Sequence, residues 1–211
     1  MADVTDVTET TQERHRELDR LLTFVDAIVA IAITLLVLPL ADLTTGIGEQ
    51  QVTDLLRTHQ AELGSFLLSF AVIARLWFGQ HRSLRHVLVA PDGLGLLLML
   101  WTATIVFLPF PTALLADAGA QAVTKILYIG TIALNVVFVA LMDFVVRRHP
   151  EVTDGLGLPN LESALATVVL LVVALIVALL LPGSSYYTLL LVLLDQPVLS
   201  LWSRMTGRTP A

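Results

Sequence analysis

The chain has 211 residues, 56% of them hydrophobic and 14% charged, with a net charge of −6 and a mean hydropathy of +0.82. A soluble domain carries about a quarter charged residues, whereas here the charges are few and collect between long apolar runs, the mark of a helical membrane protein. The acidic balance speaks against a nucleic-acid partner, which needs a basic stripe, and the absence of cysteine excludes disulfides, thiolate metal sites and cysteine nucleophiles.

Residues 1–13 are rich in Thr, Asp, Glu and Val without periodicity, and are expected to form a disordered acidic tail. They are not basic and then apolar, so no secretory signal is expected. Residues 14–205 read as one membrane domain of six spans, followed by a short cytoplasmic tail, 206–211. A mixed-charge turn or two of helix, 14–20, leads into the first span, about 21–40, where Pro39 either ends the helix or kinks it by removing the bond to the Leu35 carbonyl. A polar connection over 41–62 includes a short helix around 52–59. The second span, about 63–80, ends in the basic cluster His81-Arg82-Ser83-Leu84-Arg85-His86. Pro91-Asp92-Gly93 predicts a turn, and the third span, 94–110, is broken by Pro109-Phe110-Pro111. The fourth, 126–146, ends at Arg147-Arg148. The fifth, 164–181, and the sixth, 186–202, form a tight hairpin through Pro182-Gly183.

Arginine and lysine set the expected orientation. Arg14, Arg16 and Arg20 precede the first span, Arg82 and Arg85 follow the second, Arg147 and Arg148 follow the fourth, and Arg204 and Arg208 follow the sixth. The alternate loops hold only Arg57 and Lys125. Six spans with both termini in the cytoplasm fit this bias, in a multi-pass protein of the plasma membrane.

The first span carries the sharpest polar signals. Ile31, Leu35 and Leu38 fall at i, i+4 and i+7 on one helical face. Taken alone, that face suits ordinary lipid or bundle contact. Thr34 sits beside it, and Asp42 extends it at i+11. Several copies around a common axis would therefore stack aliphatic rings below an acidic outer mouth, a constriction able to gate by dewetting and to favour cations. Asp26 points away from that face. A carboxylate inside a span needs a donor, and the second span offers Trp77 and His81 near the same depth, with Arg75 able to neutralise the charge. An Asp26–His81 or Asp26–Trp77 contact would tie the two helices together as a structural network.

Arg20-x-x-x-Phe24-Val25-Asp26, followed by Ala30-Ile-Ala-Ile-Thr34-Leu-Leu-Val-Leu38, resembles the first-helix signature of bacterial relatives of the lysosomal potassium channel, transmembrane protein 175. The run Phe70-Ala-Val-Ile73-Ala-Arg-Leu-Trp77-Phe-Gly-Gln-His81-Arg82 is similar to that family's second-helix pattern. The resemblance implies an all-α homotetramer of six-span subunits whose first helices line a central pore for potassium and other monovalent cations. It implies a constriction at Ile31, Leu35 and Leu38, with Thr34 as a polar layer. It places the motif network on Arg20, Phe24, Asp26, Trp77 and His81. No catalytic site, resident cofactor or metal is implied beyond the permeating cations, and the partners are the bilayer and the chain's own copies. Three positions depart from the family pattern: Val25 for the motif serine, Arg82 for a second histidine, and Arg75 where the family is usually apolar.

Asn135, Asp143 and Asp195 also lie within spans. Asp143 is expected against Arg147 or Arg148, and Asp195 against a neighbouring helix beside Pro197. With Asp26, the two acids define the alternative function, a proton-coupled secondary transporter, although no inverted repeat supports it. The chain carries no enzyme motif such as H-E-x-x-H or G-x-S-x-G, and it lacks the T-V-G-Y-G filter of ordinary potassium channels.

Overall fold

The first helix, α1, runs Ala2–Leu35 in the computed structural model, which describes residues 2–43, 52–118 and 121–155. At 1.5 Å per residue it is about 50 Å long, against a hydrocarbon core of about 30 Å, so its N-terminal part reaches beyond the membrane. The stretch expected to be a disordered tail, 1–13, is instead helical from Ala2. The physical reason is propagation. Once the apolar span supplies a nucleus, each further residue adds a hydrogen bond at little cost, and acids near a helix N-terminus favour the dipole.

Pro39 kinks the chain rather than ending the helix. Residues 36 and 37 form a tight turn with Leu36 N–H to Ile33 O at 3.3 Å and Val37 N–H to Thr34 O at 3.1 Å. A further turn, α2 (Leu38–Asp42), then resumes with Ala41 N–H to Val37 O at 2.9 Å. Proline occupies the start of this segment, where its missing N–H would have had no intrahelical acceptor. A crevice of about 220 Å³ opens behind the kink, bounded by Leu36, Pro39, Asp42, Glu62, Phe66 and Thr112.

The short helix expected around 52–59 is α3 (Val52–Thr58), and the second span is α4 (Gln60–Leu84). The Pro91-Asp92-Gly93 turn closes with Leu94 N–H to Pro91 O at 3.1 Å, and Gly93 takes the left-handed backbone (φ 85°) that side chains disfavour. The third span begins as α5 (Leu94–Phe107), breaks at Leu108 and restarts as α6 (Pro109–Ala118). The prolines thus interrupt the helix without ending the span, which extends to Leu115. The fourth span is α7 (Ala122–Arg148), followed by a 3-10 turn, Pro150–Val152. The fifth and sixth spans, the C-terminal tail and Asp195 lie outside the described residues.

Four described helices are therefore long and apolar enough to cross a membrane, and no strand occurs among the described residues. The protein is a multi-pass membrane protein. Its core forms where α5 packs on α7, α4 on α6 and α7, and α1 on α5. Leu18, Val25, Val29 and Ala32 give α1 one buried stripe, continued by Leu36, which belongs to the same core cluster as Leu98, Trp101 and Ile105 of α5. In lipid such a core is held by close packing and interhelical hydrogen bonds, because acyl chains are as apolar as leucine.

Candidate functional site

The buried stripe of α1 leaves its opposite face uncovered. Ile31 is 59% exposed, Leu35 39% and Leu38 56%, and Thr34 and Asp42 are exposed as well. Ile31, Leu35 and Leu38 are thus all exposed across the Pro39 kink, whereas Asp42 borders the crevice toward α4 and α6. Of the four spans α1 is the least enclosed, with 22% of its apolar window buried against 33%, 44% and 44% for the others. The Thr34 hydroxyl donates to the Ile31 carbonyl on its own helix at 2.7 Å. Its proton is thus turned back to the backbone, which leaves oxygen lone pairs free to accept a further partner.

The inner side of α1 is anchored to α4. Trp77 Nε1 donates to Asp26 Oδ1 at 2.7 Å, and His81 Nδ1 lies 3.9 Å from the same oxygen. The Trp77 and His81 rings stack at a tilt, with centroids 4.8 Å apart. Both contacts foreseen for Asp26 are present, and they converge on one carboxylate oxygen. Two members expected in that network lie apart from it: Arg20 is exposed, and the Phe24 ring is 55% exposed on the open side of α1. Val25, standing where the motif has serine, is fully buried in the core. It exchanges a hydroxyl for packing, and the Asp26 contacts form without it. Arg75 is half-buried and Arg82 exposed.

Further polar ties hold the other described spans, and no spacing pattern in the chain signals them. Ser69 shares a hydrogen bond with Tyr128 at 3.0 Å and accepts one from Thr112 at 2.8 Å, joining α4, α6 and α7 through three buried hydroxyls. Asn135 donates to Thr104 Oγ1 at 2.7 Å, tying α7 to α5. Asp143 accepts from Ser83 of α4. Arg147 acts on Asp143 electrostatically, as expected, whereas Arg148 lies 4.4 Å over the Phe144 ring. Asp26 and Asp143 are thus both engaged in ties between helices. Beyond the spans, the Glu151 carboxyl is held below the usual range, first by its own backbone N–H and then by His149 at 3.0 Å.

A family described as the endosomal/lysosomal potassium channel TMEM175 matches residues 20–109, from the motif arginine to the end of α5 and its proline break. A protein named as a potassium channel from Chamaesiphon minutus is 41% identical over 109 residues, which cover 48% of this chain and 50% of that relative's length. The chain thus spans about half of the curated relative it matches. The crystal structure of a lysosomal potassium-selective channel TMEM175 homologue, also from Chamaesiphon minutus, superposes with a TM-score of 0.65 at 24% identity, covering 92% of this chain and 100% of that one. The fold is shared with that structure. The family resemblance carried by the two motifs is borne out over residues 20–109.

Proposed function

We propose that the chain is one subunit of a homotetrameric, potassium-permeable cation channel whose narrowest part is made by Ile31, Leu35 and Leu38 of four α1 helices. The observation that carries this reading is the open face of α1: an aliphatic row, interrupted by Thr34, on the side of the helix turned away from its own bundle, with Asp42 exposed beyond the kink. The potassium-channel names of the matching family and of the 41%-identical relative supply the ion.

In the proposed pore the three aliphatic rows throttle the lumen, and cations cross when the helices part enough to admit water. Four Thr34 oxygens, each with its proton already committed to the backbone, offer a ring of acceptors between hydrophobic layers. Asp42 concentrates cations at the outer mouth. The Asp26 contacts with Trp77 and His81 set the rotation of α1, so that its aliphatic row meets its symmetry mates. The basic loops favour an orientation with both termini in the cytoplasm, and the plasma membrane is the proposed location.

The test is ion flux into liposomes carrying the purified protein. Leu35→Ala removes bulk from the middle row. We expect it to raise potassium flux several-fold and to reduce the preference for potassium over sodium. Unchanged rate and unchanged preference would remove Leu35 from the constriction. Among the described residues nothing favours the transporter alternative, since Asp26 and Asp143 are occupied in ties between helices. Saturable flux driven by a proton gradient would revive it.

A further inference from the structure

At the basic end of the bundle three segments are stitched into a collar. The loop after α4 pairs with the segment after α7 through an antiparallel bridge between Val87 and Thr153. Leu88 N–H donates to Val152 O at 2.8 Å, and Asp154 N–H donates to His86 O at 3.0 Å. A side-chain bond closes the same pair, His86 Nδ1 to Asp154 Oδ2 at 2.8 Å. The third segment is the extension of α1, where His15 Nδ1 donates to the Leu88 carbonyl at 2.8 Å. Both backbone groups of Leu88 are therefore spent on other segments, one on the loop after α7 and one on α1.

The position of His15 gives the collar leverage. It lies about 16 Å along α1 from Asp26, and Leu35 lies about 14 Å from Asp26 in the other direction. The buried stripe packs α1 on α5 and Asp26 adds one polar tie to α4, and a second polar tie near the other end limits the tilt that remains. We infer that the collar is the second anchor: His15, held by a Leu88 that the His86–Asp154 pair keeps in place, positions α1 and resists the swing that parts its aliphatic row. This rests on the channel reading above and extends it to the control of opening. His15 touches no permeating ion in this scheme, so it acts on the open–closed balance and not on the open pore.

Two measurements test it separately from the pore. The chain has no cysteine, so Val87→Cys with Thr153→Cys introduces a single pair. The bridge is of the non-hydrogen-bonded kind, with Cα atoms about 4.5 Å apart, within disulfide range. Oxidation should close the disulfide in the full-length protein in membranes, protecting both thiols from a mass-tagging maleimide. Failure to close it overturns the collar, whatever the chain conducts. In single-channel recordings His15→Ala should raise open probability about fivefold, the equivalent of one lost hydrogen bond, with unitary conductance and ion preference unchanged. His15→Asn, whose Nδ2 can stand for the lost donor, should restore the balance, and Asp154→Asn in the exposed loop should shift it as His15→Ala does. Unchanged or lowered open probability in both His15→Ala and Asp154→Asn overturns the positioning role. Loss of the constriction assignment would show itself elsewhere, in Leu35→Ala, and would leave the disulfide result standing.

Discussion

Asp26 is an acid on an apolar helix, yet 39% of its side chain is accessible, and the His81 side chain beside it is 45% accessible. Partial exposure screens the charge, so the tie to Trp77 sits nearer an average interhelical hydrogen bond than a buried ion pair, about 1 kcal/mol. Trp77→Phe keeps the ring packing and removes the donor; Asp26→Asn keeps an acceptor oxygen and removes the charge. Each should lower thermal stability in detergent by a few degrees, about 3 °C per kcal/mol for a chain of this size. A double-mutant cycle should give a coupling of about 0.5–1.5 kcal/mol, and strictly additive losses would mean that the two side chains do not support each other. This tie was legible because a carboxylate stands out in an apolar run and tryptophan and histidine are distinctive donors. The Ser69–Tyr128–Thr112 hydroxyls were not legible in the same way. Serine and threonine are common in spans and usually bond their own backbone, as Thr102 does to the Leu98 carbonyl at 2.7 Å. Only the assembled bundle distinguishes the hydroxyls that reach across.

At the scale of the element, the α1–α2 kink decides which way the outer acids face. The spacing of Ile31, Leu35 and Leu38 reads as one stripe on a straight helix, and the stripe survives because the tight turn at 36–37 is followed at once by a resumed helix. Sequence alone leaves a proline two outcomes, and the choice is made by the crevice behind it, where Leu36 packs inward while Pro39 and Asp42 border open space. Pro39→Ala restores an N–H that can reach the Leu35 carbonyl. Residues 36–42 should then become continuous helix, with slower amide hydrogen exchange across 36–40 and a rotation of Asp42 relative to Leu35. Exchange rates equal to the parent's would show that packing around the crevice, and not proline, makes the kink. The N-terminal extension teaches the opposite lesson. Its residues lack periodicity because a helix running into water needs no apolar face, so pattern reading assigns disorder where propagation from a long span yields helix.

For the whole molecule, the question is what covers the open face of α1. In a membrane an exposed aliphatic face is at ease against lipid, so exposure by itself does not distinguish acyl chains from a partner helix or from water. The polar members of the face do. Thr34, between Ile31 and Leu35, and the exposed Asp42 beyond the kink suit a water-filled axis and gain nothing from lipid. The positions of the first four spans were readable in the apolar runs; the axis is not, since no single chain encodes the copies it meets. The missing cysteines make the matter testable in one background. A thiol reacts with a charged thiosulfonate only as thiolate, which requires water. Leu38→Cys and Leu35→Cys should therefore be modified by such a reagent in membranes, with potassium flux falling as modification proceeds. Leu96→Cys, on the exposed side of α5, should stay inert. Native mass spectrometry of the same protein in detergent should give four subunits. A monomer, or an inert cysteine at position 35 beside a reactive one at 96, would turn the α1 face toward lipid and remove the pore with it.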